Sequence, residues 1–134
     1  MIIGHEKTAP AQETGLPDKR TLRAILSPHI NEGLTQLAAG TTTMERGCTS
    51  ELHSHIEGEL FFVISGEGKY VENGETVVFN QGTTVFSPPC STHQMINDSD
   101  DELKVLWVLI PPGREKAIID YAEQKNKEEH DDTN

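Results

Sequence analysis

The sequence predicts an all-β domain, a barrel or sandwich, followed by one short helix. Three observations carry this. From Gly33 to Ile110, short apolar or alternating stretches are separated by turn formers. Asn73-Gly74, between Lys69-Tyr70-Val71 and Thr76-Val77-Val78-Phe79, is a strong hairpin signal, because a type I′ turn needs positive φ at both central residues. Helical spacing of apolar residues appears only after Pro111-Pro112-Gly113.

In chain order, residues 1–20 carry Pro10, Gly15 and Pro17 among polar residues without periodicity, and read as an extended arm. Residues 21–112 form the barrel unit. Its strands are predicted at 21–26, 34–39, 41–45, 52–55, 60–65, 68–72, 75–80, 84–87, 93–97 and 103–110, with reversals at Asn80-Gln81-Gly82, Pro88-Pro89 and Asn97-Asp98-Ser99-Asp100. Proline cannot donate to a ladder, so Pro111-Pro112 ends the last strand. Ala117, Ile118, Tyr121 and Ala122 then predict a helix over 113–125, and the polar residues 126–134 read as a disordered tail.

A length of 134 residues fits one domain. Twenty-two Asp and Glu against 11 Lys and Arg leave a formal net charge of −11, whose field repels phosphate backbones and anionic lipid. Nucleic acid and membrane are therefore excluded as partners. No run approaches the roughly 18 apolar residues of a membrane span, and Met1 to Glu6 lack a signal-peptide profile, so a soluble, cytoplasmic protein is expected. Cys48 and Cys90 form no Cys-x-x-Cys pair and read as free thiols.

The chemistry concentrates in four residues. His53 and His55 stand two apart in a predicted strand, so both imidazoles project to one face. Glu59 follows a turn at Ile56-Glu57-Gly58, and His93 follows Pro88-Pro89. Three neutral imidazoles and a carboxylate suit one divalent transition-metal ion, Fe, Mn, Ni, Zn or Cu, and in an octahedral shell leave two positions open. A structural zinc site would instead be closed and cysteine-rich.

These residues stand in a pattern that resembles the two motifs of the cupin superfamily. Gly47, five residues, His53-Ser54-His55, three residues, Glu59, six residues and Gly66 resemble the first. Gly82, five residues, Pro88, then His93, three residues and Asn97 resemble the second, with Cys90 where the family usually has glycine. The resemblance implies a double-stranded β-helix, a jelly-roll-like barrel, often dimeric, with one metal ion held by His53, His55, Glu59 and His93.

Strand parity places Phe61 with Glu59 and Met95 with His93, so both are expected to wall a substrate pocket. Trp107 lies in a strand apolar on both faces, and analogy with the family turns it inward. Cys90, beside His93, is a pocket candidate that could ligate, attack or merely pack. Glu51 shares the parity of His53 and is either the catalytic base or a hydrogen-bond acceptor behind the ligands, or else a solvated charge. Glu57 reads as an ordinary surface charge, and Tyr70 as pocket or outer face alike. The function expected is a metal-dependent enzyme acting on a small polar molecule, first an Fe or Mn oxidoreductase such as a dioxygenase. The alternatives are a lyase, decarboxylase or sugar isomerase, and a non-catalytic ligand-binding or sensor protein.

Overall fold

A computed structural model describes residues 1–131. Nine strands form two antiparallel sheets: β1 (Ala11–Glu13), β2 (Arg20–Leu26), β3 (Ala38–Met44), β4 (Gly58–Ser65), β5 (Glu67–Glu72), β6 (Glu75–Asn80), β7 (Thr84–Ser87), β8 (His93–Ile96) and β9 (Leu103–Ile110). The larger sheet has the order β1-β2-β3-β9-β4-β7 and the smaller β6-β5-β8. The β5–β6 hairpin turns at Asn73-Gly74, whose φ values of 48° and 83° are the left-handed pair expected there.

Alternation along each strand decides what faces the interior. Glu59, Phe61 and Val63 of β4, His93 and Met95 of β8, and Leu103, Val105, Trp107 and Leu109 of β9 are buried. The doubly apolar β9 is thereby resolved with Trp107 inward. Phe62, Ile64 and Phe86 point outward and are exposed. Gly66 between β4 and β5 adopts φ +89°, and a Cβ there would lie 2.4 Å from the Glu102 carbonyl oxygen, so both the turn and the close approach require glycine.

Three sequence expectations are corrected. The extended arm carries a strand that its sequence does not signal: β1 pairs with β2 through Ala11↔Arg23, Gln12↔Leu22 and Glu13↔Thr21. Residues 34–37 are loop, and 52–55 form no strand but an extended link with one bridge, His53↔His93. The helix α1 runs Lys116–Asp131, beyond the predicted end at 125. Its last turns lack an apolar face but are rich in good helix formers, and Gln124 donates to Glu128 one turn on. Of the expected tail, residues 132–134 lie outside the described residues. Ile118 and Ile119 bury α1 where it packs on β1 and β2. At its start, Glu115 is 1% exposed and accepts from Ser27 Oγ and the Gly113 amide.

Candidate metal centre

His53 and His93 are locked to each other by main-chain bonds, His53 N–H to His93 O at 3.1 Å and His93 N–H to His53 O at 2.9 Å. His55 is held in turn by the Cys90 amide, which donates to its carbonyl at 2.8 Å. Cys90 makes that bond at φ +68°, a conformation a non-glycine residue adopts only at some cost, so the backbone here keeps the geometry of a glycine.

Each ring is then oriented by a main-chain carbonyl. His53 Nδ1 lies 2.7 Å from Glu51 O, His55 Nδ1 2.9 Å from Glu57 O, and His93 Nδ1 3.1 Å from Ser91 O. A carbonyl only accepts, so every Nδ1 carries the hydrogen. Every neutral ring therefore presents a bare Nε2 lone pair, the tautomer that binds a metal through Nε2.

The ligand atoms of the three histidines lie within 4.8 Å of one another. Glu59 Oε1 is 3.0 Å from His55 Nε2 and 3.7 Å from His93 Nε2. Ligands about 2.1 Å from one ion at right angles lie about 3 Å apart, which the Glu59–His55 separation matches, while the histidine ligand atoms are spread over up to 4.8 Å. His93 Nε2 is buried without a hydrogen-bond partner, an orphaned lone pair that an ion would satisfy. The donors therefore fit a metal.

Electrostatics within the metal-free cluster follow from burial and contact. Burial pushes the His53 pKa down, and the positive charge of Arg114 adds to this. The hydrogen bond that His55 donates to Glu59 raises the pKa of His55 against its own burial. Burial pushes Glu59 up, but His55 and His93 together hold it below the usual carboxylate value. Since His55 already gives Nδ1–H to a carbonyl, its contact with Glu59 requires a second proton on Nε2, which an ion would displace.

Beside the cluster lies a cavity of about 260 Å³. Phe61, Met95 and Trp107 line it, together with Leu109 and with Arg20 and Arg114 from outside the central barrel. Glu51 and Cys90 are not in this lining, and both side chains are exposed. Parity from His53 does not extend to Glu51 because 51–55 is not a strand; Glu51 serves the site through its main-chain carbonyl. Glu57 is not a surface charge but 8% exposed, packed beside Gly113. Tyr70 is buried against the His93 ring with its hydroxyl donating to Glu72, and is also outside the lining. Sequence reasoning missed Arg20 and Arg114, for which the chain offers no periodic signal.

Residues 40–109 match the cupin domain. Over 96 residues the chain is 28% identical to the uncharacterized protein MJ1618 of Methanocaldococcus jannaschii, covering 71% of this chain and 76% of that one. Over 75 residues it is 32% identical to gentisate 1,2 dioxygenase 1 of Aquipseudomonas alcaligenes, covering 55% of this chain but only 21% of the enzyme. Among solved structures, a predicted oxalate decarboxylase from Thermotoga maritima superposes with a TM-score of 0.71 at 19% identity, over 82% of this chain and 99% of that one. Matching sequence, antiparallel sheets closing on a partly buried histidine group, and this likeness of fold lead to one conclusion: the chain belongs to the cupin family.

Proposed function

We propose that His53, His55, Glu59 and His93 hold one divalent transition-metal ion, and that the protein is a metal-dependent enzyme acting on a small polar molecule, foremost an Fe- or Mn-dependent oxidoreductase of the dioxygenase kind. The observation that carries this is the gathering of the ligand atoms of three histidines within 4.8 Å of one another, His93 Nε2 among them buried and unpartnered, beside a half-open cavity. When bound, such an ion supplies Lewis acidity and a centre for reaction with O₂. The chain's own groups do the rest. The carbonyls of Glu51, Glu57 and Ser91 hold the rings in the ligating tautomer. Phe61, Met95, Trp107 and Leu109 provide apolar walls that limit water beside the site. Similarity to part of gentisate 1,2 dioxygenase 1 supports placing oxygen chemistry first.

The test is elemental analysis of natively purified protein together with metal-dependent melting. Wild type is expected to carry about one ion per chain, and saturation at a hundredfold excess over Kd to add about 2.7 kcal/mol of stability. His55→Ala should lose the ion and this stabilisation, and undiminished metal content in that variant overturns the assignment. Oxygen uptake with candidate substrates tests the reaction class. Anaerobic turnover moves it to a lyase, decarboxylase or isomerase, and binding without turnover to a ligand-binding protein.

A further inference from the structure

The cavity's cations are less engaged than its anions. Besides the histidines, four ionisable side chains line it: Arg20, Glu59, Arg114 and Glu115. Glu59 faces His55 and His93, and Glu115 is occupied by Ser27 and the Gly113 amide. Arg20 places Nε 2.8 Å from Asp18 Oδ1, and its two Nη groups have no partner among the described residues. Arg114 is exposed and has neither an ion pair nor a side-chain hydrogen bond among them. Lys7, Arg46, Lys125 and Lys127 also lack an ion pair among the described residues, but of these unpaired cations Arg114 is the one that lines this cavity.

With a divalent ion on the proposed ligands, the lining is net positive even after Asp18 is set against Arg20, within a chain of formal net charge −11. A low-dielectric cleft focuses such a local field instead of averaging it with the surface. Guanidinium groups match carboxylates in a planar, two-bonded fork. A cavity of about 260 Å³ has room for a small diacid such as succinate.

Resting on the metal-dependent reading above, we propose that the cavity selects small carboxylate anions, with Arg114 and the open edge of Arg20 as the recognition groups. Both arginines lie outside residues 40–109, which match the cupin domain. The selectivity therefore comes from β2 and from the segment leading into α1, added to the central barrel.

Trp107 is the sole tryptophan and lines the cavity, so its fluorescence reports occupancy without turnover. Full-length protein, Mn(II)-loaded and chelator-stripped, is titrated with succinate and with its neutral diamide, followed by calorimetry and Trp107 emission. Wild type is expected to bind succinate and to discriminate against the diamide. Arg114→Gln should weaken succinate about tenfold or more, with unchanged ion content, and Arg114→Lys should recover part of the loss. Wild-type succinate affinity in Arg114→Gln, equal binding of diacid and diamide, or no binding of succinate by wild type each overturns the proposal. Full ion uptake with any of those results leaves the metal reading standing. Arg114-dependent succinate binding by a chain that takes up no ion would keep the anion site and remove the metal.

Discussion

Gly40 of β3 sits opposite Trp107 of β9, and replacing it with alanine probes how tightly the cavity wall is built. A Cβ at this position would lie 1.9 Å from the Arg23 carbonyl oxygen, 2.3 Å from Trp107 Cζ2 and 2.7 Å from Cη2, where ordinary contact begins at 3.4 Å. The carbonyl would have to retreat by about 1.5 Å and the ring by about 1.1 Å. Arg23 cannot give way freely, because β2 is paired on both sides, to β1 and to β3. Overpacking of this kind costs about 1–3 kcal/mol, and a backbone obstacle places the cost near the upper end. Reduced freedom of the unfolded chain returns about 0.4–1 kcal/mol, so a net loss of about 2 kcal/mol is expected. Urea unfolding followed by far-UV circular dichroism, a signal that survives loss of the sole tryptophan, measures it. Adding Trp107→Leu should recover only part of the loss, since the Arg23 oxygen remains. A Gly40→Ala protein as stable as wild type would refute the rigidity assigned to this wall.

Asn97, fully buried, donates to the carbonyls of Met44, Glu45 and Asp101 and accepts from Ser99, so Asn97→Ala should cost about 2–4 kcal/mol in denaturant unfolding. Lys104, 2.7 Å away, is the main group holding the Glu6 pKa below its ordinary 4.5; that stabilisation is present above the unfolded value and lost as pH falls through the folded one. Glu6→Gln should therefore cost under about 1 kcal/mol near neutrality, less in high salt, and flatten the acid limb of the stability profile, which an unchanged limb would contradict. For His55 the sign is reversed: its raised pKa stabilises the metal-free protein below the ordinary imidazole value, and this is lost as pH rises through the folded one. The gap in Tm between Mn(II)-loaded and metal-free protein should widen from about pH 6 to about pH 8 with proton release on binding, and a flat gap would count against displacement of the His55 proton.

What was legible in the sequence was local. His53 and His55 are oriented by carbonyls two residues away, and His93 by that of Ser91, so short spacings carried the arrangement. Parity was trustworthy where a ladder is continuous, as for Phe61, beside Glu59 in β4, and Met95 in β8. It misled for Glu51, because 51–55 touches its neighbour through a single bridge and nothing enforces alternation there. Glu57 was misread for a related reason: the bend at Ile56-Glu57 turns its side chain toward Gly113, more than fifty residues on.

The remaining features depend on partners distant in sequence. Three residues without alternation, Ala11–Glu13, become a strand only because β2 offers an edge. Arg20 meets an acid only two residues away, Asp18, but whether Arg114 is neutralised depends on where acids far along the chain come to rest, and no spacing rule encodes that. Ligand geometry in this fold is written in short motifs, whereas the charge of the cavity is set by which side chains the fold leaves unpaired. Two cupins with the same histidines and glutamate can therefore present differently charged cavities, and selectivity must be read from what closes over the barrel, here β2 and the approach to α1.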